Sequence, residues 1–412
     1  LASAINPLHE RLFFDDSSLH DELERGVILS DRKSKKAWKW WLGRGALALT
    51  GVGLLGGLVV YASTGWGEAL GAAPDGARLK RMLASKQHAG DKFVNAVETG
   101  TMKPGDTPGV ILEGLTNGAV RSPTIDIPVL SPANQLATPP ASGMRVTWMG
   151  HSTLLIEVDG ARILTDPVWG DRASPSTLLG PARFHRPPMT LDEIGKLDAV
   201  IISHDHYDHL DMPSIKKLSE QGVHFYMPLG IGAHMERWGV PAERIHEFDW
   251  WEKTTLEEHG VELVSTPSRH FSGRAGIDTN RTLWTSWTIL GPEHRIYFSG
   301  DTGYSPHFKE IGEKYGPFDL TMIEVGAYHQ AWGEIHLGPH NAMQAHLDLG
   351  GEKMLPVHWG TFDLALHGWT QPARVLAEEA PGKQIQLVTP RVGEPVEPST
   401  TTEFWWEALG RE

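Results

Sequence analysis

Asp198-Ala199-Val200-Ile201-Ile202-Ser203-His204-Asp205-His206-Tyr207-Asp208-His209 is the stretch from which the rest of the chain is read. Its first half is a short apolar run of the kind that fits a buried strand. Its second half places His204, His206, Asp208 and His209 where that strand gives way to a turn. Side chains along a strand alternate between faces, but at its end closely spaced side chains can converge. His204 and His206 then reach one cation, while Asp208 and His209 reach a second. The competing reading is a polar loop that happens to be rich in histidine.

Three single residues further along favour the metal reading. His270 follows Val261–Thr266, Asp301 follows Arg295–Ser299, and His358 follows Met354–Val357; each segment is strand-like and apolar. Alone, each residue reads as a turn or capping residue. Together they repeat one pattern, a metal-ligating side chain at or just beyond a strand end.

Composition narrows the chemistry. The chain has 412 residues, a 40% hydrophobic fraction and a net charge of −14, enough for a sizeable core and without the basic footprint of a general nucleic-acid binder. There is no cysteine, which excludes disulfides, zinc ribbons and a thiol nucleophile. A transition metal would have to be held by histidine and carboxylate, and 21 histidines are present.

The first 31 residues carry no motif. A basic, Trp-rich stretch from Arg32 to Arg44 then leads into the uncharged run Ala46–Ala62. Roughly 20 helical residues cross a bilayer core, so the run is near the lower limit for a span. The basic residues before it predict a cytoplasmic N-terminus, with the bulk of the chain on the opposite, periplasmic or extracytoplasmic side. A cleaved signal peptide would be preceded by fewer residues, and a Gly-rich buried helix would lack the basic and aromatic flanks. Regular structure is expected from Met144 onward: strands at 145–149, 153–158, 162–165, 198–203, 223–227, 261–266, 283–290, 295–299, 320–324 and 354–357, with an Asp159-Gly160 hairpin turn. Helices are expected at 77–87, 213–222, 339–349 and 372–379, which makes a layered α/β domain.

The segments Gly150-His151-Ser152-Thr153, Leu164-Thr165-Asp166-Pro167, His204 to His209, Ser299-Gly300-Asp301-Thr302-Gly303 and His358-Trp359-Gly360-Thr361-Phe362 carry a resemblance. From Val146 to about Gly393 the chain resembles the metallo-β-lactamase superfamily, in particular its N-acylphosphatidylethanolamine-hydrolysing phospholipase D branch. Arg78 to Asn95 resembles that branch's N-terminal extension. The resemblance implies a four-layer αβ/βα sandwich, with two zinc ions at one edge. His204, His206 and His270 would hold the first, Asp208, His209 and His358 the second, and Asp301 would bridge them. Asp166 would orient a ligand histidine from behind. His151 and Ser152 would line the same edge, His151 either as support or in direct contact. His336 matches a family histidine that approaches the substrate.

These readings divide the chain into a polar then basic tail (1–44), a transmembrane anchor helix (45–66), a tether and N-terminal extension (67–143), a catalytic domain (144–399) and a C-terminal tail (400–412). The expected activity is hydrolysis by a metal-activated water, foremost of a phosphodiester in an N-acylphosphatidylethanolamine-like lipid. Asp208, Asp301 and His336 are the residues expected to carry it. A lactonase or other carboxylic-ester hydrolase is the alternative, and a membrane-anchored binding protein without catalysis a third. The segment 329–341 departs from the lipid-hydrolysing enzymes, reading His329-Gln330-Ala331-Trp332-Gly333-Glu334 and then His340-Asn341 after Pro339. It is the part on which the substrate turns. Trp332, Trp359, Trp369, Trp405 and Trp406 are candidates for apolar contact with a lipid. His329, His340 and His346 are read as outside the site, and the family likeness implies a homodimer.

Overall fold

Apolar runs punctuated by Gly and Asp turns from Met144 onward build two mixed sheets. The computed structural model describes residues 66–101, 107–332 and 334–409. The expected tail and anchor, 1–44 and 45–66, lie outside these residues except for Trp66. Among the described residues no helix is long and apolar enough to cross a membrane.

A short hairpin, β1 (His88–Ala89) and β2 (Lys92–Phe93), precedes the sheets. The first sheet contains β3 (Met144–Gly150), β4 (Thr153–Val158), β5 (Ala161–Thr165), β6 (Ala199–Ile201), β7 (Phe225–Pro228) and β8 (Ile245–Phe248). The second contains β9 (Lys253–Leu256), β10 (Val261–Thr266), β11 (Ser286–Leu290), β12 (Arg295–Phe298), β13 (Phe318–Glu324), β14 (Gly351–Val357) and β15 (Gln386–Leu387). The chain then returns to the first sheet, where β16 (Pro395–Val396) pairs with β3. The orders are β16-β3-β4-β5-β6-β7-β8 and β15-β14-β13-β12-β11-β10-β9. Asp159 and Gly160, at φ 48° and 92°, make the tight turn between β4 and β5, as an Asp-Gly pair favours.

Side-chain alternation sorts the core into layers. Leu154, Ile156, Ile163 and Ile201 join Leu263, Trp287, Ile289 and Phe298 of the second sheet in one buried cluster. Their neighbours Leu155, Leu164, Val200 and Ile202 point the other way and pack with Leu191, Ile194, Ile215, Leu218, Ile231 and Met235. Those residues come from the helices Leu191–Ile194, Met212–Glu220 and Gly232–Arg237, apart from Ile231 just before the last. Helices His307–Tyr315, Gly338–Leu349 and Gln371–Glu379 cover the second sheet through Phe308, Ile311, Met343 and Leu376. The result is helix, sheet, sheet, helix.

Among the boundaries that differ from expectation, two change what the segment packs against. The expected strand over 283–290 begins only at Ser286, because Leu283 and Trp284 instead pack with Met82, Phe93, Leu229 and Trp250. The expected C-terminal tail from 400 contains a 3-10 turn, Trp405–Leu409, whose Trp405 and Trp406 enter the main core. Their rings meet Trp359 at centroid distances of 5.6 and 5.3 Å. Two indoles were available to fill the sandwich, and burying them outweighs leaving the segment free.

Candidate metal centre

Chemistry-bearing residues sit where strands stop. Asp166 follows β5, His270 lies beyond β10, Asp301 beyond β12 and His358 directly after β14, while His204 comes three residues after β6. Asp166 and His358 have φ of 35° and 63°, sparsely populated for non-glycine residues. Such turns let the side chains leave the strand direction and face one edge.

The side chains assemble into two groups, each with ligand atoms within 4.8 Å of one another. In the first, His204 Nε2 lies 2.8 Å from His206 Nδ1, and His270 Nε2 lies 3.3 Å from the same atom. Asp301 Oδ2 is 3.8 Å from both His204 Nε2 and His270 Nε2. In the second, Asp208 Oδ2 is 3.2 Å from His358 Nε2 and 3.4 Å from His209 Nε2. Asp301 Oδ2 also reaches this group, at 3.1 Å from His358 Nε2 and 3.2 Å from His209 Nε2. His151 joins it through Nε2, 2.9 Å from Asp208 Oδ2.

This donor set fits a pair of divalent cations. Several imidazole nitrogens converge with their lone pairs on points shared with carboxylate oxygens, and His209 Nε2 and Asp301 Oδ1 are buried without hydrogen-bond partners. Mutually facing acceptors are satisfied by cations, and nitrogen-rich sets of this kind suit zinc and its first-row neighbours.

The electrostatics agree. Burial pushes Asp208 and Asp301 up, but His209 opposes it in both cases, joined by His151 and His358 at Asp208 and by His358 at Asp301, and both carboxyls are held well below the ordinary range. Burial lowers His358, yet Asp301 and Asp208 lift it to about 10. Burial likewise drives His204 and His270 well below the ordinary imidazole value. His151 falls to about 3, chiefly through burial and then the neighbouring His358. The edge therefore offers ionised carboxylates beside imidazoles that resist protonation in the first group. In the second group the carboxylates call for positive charge.

Outer contacts fix the candidate ligands. His270 Nδ1 meets the Ile335 carbonyl at 2.9 Å, so Nε2 is turned inward. Asn95 brackets the His270 backbone, donating to its carbonyl at 2.8 Å and accepting from its N–H at 3.1 Å. Asp205, inside the motif but turned away from the edge, accepts from Gly273 N–H at 2.8 Å and Thr282 Oγ1 at 2.7 Å. Arg274 donates to the carbonyls of Asp205 and Leu210 at 2.6 and 2.9 Å and lies over the Tyr207 ring. Neither Asn95 nor Asp205 was singled out by sequence. The one signal for Asn95 was its place in the Arg78 to Asn95 segment.

A cavity of about 310 Å³ opens over the two groups. His336 lines it together with Phe271, Trp332, Ile335 and Leu364. Glu324, the last residue of β13, was also missed; it is fully buried, and with His336 it falls within 4.8 Å of Asp301 and His358. Of the five tryptophans expected to meet a lipid, Trp332 lines this cavity, while Trp359, Trp369, Trp405 and Trp406 are core residues. Ser152 is buried near the edge, its hydroxyl without a partner. His329 pairs with Glu113 at 3.0 Å and exposed His340 with Glu379 at 3.2 Å. His346 is buried against Thr321 Oγ1 at 2.8 Å.

The family model described as "Beta-lactamase superfamily domain" matches residues 161–359. An uncharacterized protein of Mycobacterium tuberculosis is 45% identical over 303 residues, covering 72% of this chain and 80% of that protein. The chain belongs to the metallo-β-lactamase superfamily. Within the superfamily it is similar to N-acyl-phosphatidylethanolamine-hydrolyzing phospholipase D 1 of Caenorhabditis elegans. The two are 37% identical over 233 residues, covering 54% of this chain and 65% of that enzyme. The isothiocyanate hydrolase from Delia radicum gut bacteria shares the superfamily fold, with a TM-score of 0.50 at 18% identity over 62% of this chain and 99% of that one.

Proposed function

We propose that the chain is a binuclear zinc hydrolase of the phospholipase D type, acting on N-acylphosphatidylethanolamine-like membrane lipids. The observation that carries this proposal is the position of Asp301, whose Oδ2 lies 3.1–3.8 Å from nitrogens of both histidine groups. One carboxylate can then serve two ions, with His204, His206 and His270 on one side and Asp208, His209 and His358 on the other.

When bound, two such ions supply Lewis-acid activation of water and neutralise charge on a phosphoryl oxygen. The protein's own groups do the rest. His336 faces the cavity from its wall, where it can meet the scissile group, and Phe271, Trp332, Ile335 and Leu364 offer apolar surface to a lipid. Exposed Ile111, Leu112 and Leu115 lie on the helix Thr107–Thr116. That helix is tied by Glu113 to His329, whose ring stands 5.7 Å from Trp332. An anchor over 45–66 would keep the catalytic domain at a bilayer, on its extracytoplasmic side, with a homodimer as the assembly. The similarity to the nematode phospholipase supports the same substrate class.

The test is metal analysis joined to a substrate panel. About two zinc ions per chain are expected, with turnover abolished in Asp301→Ala. Release of an N-acylethanolamine from N-acylphosphatidylethanolamine in mixed micelles supports the lipid substrate. Lactone opening without turnover of any glycerophospholipid would move the protein to the carboxylic-ester class.

A further inference from the structure

Glu324 is a fully buried carboxylate at the end of β13, and it is held from three directions. Oε1 accepts from the Thr302 N–H at 3.2 Å and the Leu337 N–H at 2.9 Å. Oε2 faces His336 Nδ1 at 3.3 Å. Its own N–H donates to Ser299 Oγ at 3.0 Å. Thr302 is the residue after Asp301, and Leu337 is the residue after His336. One side chain thus sets the loop of the shared aspartate against the loop of the cavity histidine. A buried carboxylate is costly unless its oxygens are satisfied, so an apolar residue would have been the simpler choice for packing alone.

The pairing also fixes the chemistry of the ring. A carboxylate oxygen accepting in this contact puts the proton on Nδ1 of His336. Among the described residues, His336 Nε2 makes no hydrogen bond, and the ring lines the cavity. We propose that Glu324 is a positioning residue that holds His336 with Nδ1–H turned inward and Nε2 presented to the leaving oxygen of the substrate. The proposal rests on the phosphodiesterase function above. In the step it serves, a water oxygen bonds to phosphorus and the bond from phosphorus to the leaving oxygen breaks. The electron pair stays on that oxygen. Nε2, which carries no proton in this tautomer, takes up the proton lost by the water and passes it to the leaving oxygen, and the products are a phosphomonoester and an alcohol.

The experiment compares Glu324→Gln, Glu324→Asp and His336→Ala, and the double variant Glu324→Gln/His336→Ala, at equal metal content. Two substrates are used: N-acylphosphatidylethanolamine in mixed micelles, whose leaving alcohol needs a proton, and a p-nitrophenyl phosphodiester, whose leaving group does not. Glu324→Gln is expected to lower kcat on the lipid by about 10- to 100-fold, with KM and the p-nitrophenyl rate little changed. Glu324→Asp should recover part of the loss, and the double variant should be no slower than His336→Ala. Nitrogen-15 spectra of histidine-labelled, metal-free protein should show His336 as the Nδ1–H tautomer in the parent and as a mixture in Glu324→Gln. Equal losses on both substrates, or an unchanged tautomer, would overturn the proposal. If the parent cleaves neither diester, the phosphodiesterase function fails, while the spectra still decide whether Glu324 sets the ring.

Discussion

His209 donates through Nδ1 to Asp166 Oδ2 at 2.7 Å, with both side chains fully buried. The same carboxylate accepts from Ser203 N–H at 2.7 Å and Ser203 Oγ at 2.6 Å. Ser203 Oγ, its proton so used, is left to accept from His204 Nδ1 at 2.9 Å. One aspartate therefore turns a histidine of each group inward. Replacing it removes the acceptor that fixes both tautomers, and partners of this kind are typically worth 10–100-fold in metal affinity. Asp166→Ala is expected to weaken metal binding by the two histidine groups by about that factor, read by competition with a chelator. Parent-like affinity would mean that His204 and His209 are oriented by the sandwich alone.

A second buried pair bears on stability, away from the metal edge. Arg145 and Glu157 face each other across β3 and β4 and bond at 2.6 and 2.9 Å. Arg145 also donates to the Thr138 carbonyl at 2.7 Å, tying the segment before the sheet to it. Removing one member of a buried pair strands the other charge and costs about 3–5 kcal/mol. Arg162, with Nε 3.8 Å from Glu157, would offset part of this. Arg145→Met should therefore destabilise the fold by about 3 kcal/mol, and Arg145→Met/Glu157→Leu should recover most of it. Urea unfolding of the single and double variants checks both values.

Acid should weaken the fold through histidines that have no part in the metal edge. His185 and His346 are lowered to about 4 and His307 to about 3, in each case mainly by burial. Above the unfolded value of about 6.5, both states are neutral and the groups contribute no pH dependence. As pH falls below it, the unfolded chain takes up protons that the folded chain refuses, so stability is lost down to pH 3–4, where the folded groups titrate. Each contributes a slope of up to about 1.4 kcal/mol per pH unit. His346→Gln should flatten the dependence between pH 6.5 and 4.5 by about one such increment. An identical slope in both proteins would show that His346 accepts its proton while folded.

Much of the candidate cluster was legible because histidine and aspartate interrupt apolar strands, so His204, His270, Asp301 and His358 stand out against Ile201, Val264, Phe298 and Val357. Glu324 was not, since it closes the run Leu320–Glu324 as any polar strand-end residue would. Its partners Thr302 and Leu337 are 22 and 13 residues away in sequence. β8 and β9 were missed for a different reason. They are edge strands, and residues such as His246, Glu247, Lys253 and Thr255 give no apolar alternation. Edge strands are commonly charged in this way. The burial of Trp405 and Trp406 depends on contacts with Trp359, more than 40 residues earlier, which no local pattern records.

Gly303 gives the last test, because its role is space. A Cβ built there would fall 1.5 Å from the Glu334 carbonyl oxygen, a backbone atom with no side-chain freedom to yield. Gly303 also donates to the Arg269 carbonyl at 2.7 Å, which closes the Asp301 loop against the residue before His270. The next residue after Glu334 is Ile335, whose carbonyl meets His270 Nδ1 at 2.9 Å. An alanine at 303 must push the 334–336 loop outward and draw that acceptor from His270. Overpacking of this kind costs about 1–3 kcal/mol. Gly303→Ala should therefore melt lower and also lose bound metal more readily from the His204, His206 and His270 group, although none of these side chains has changed. Metal stoichiometry during dialysis against a weak chelator reads this directly. A lower melting temperature with parent-like metal retention would mean that the loop yields without moving His270.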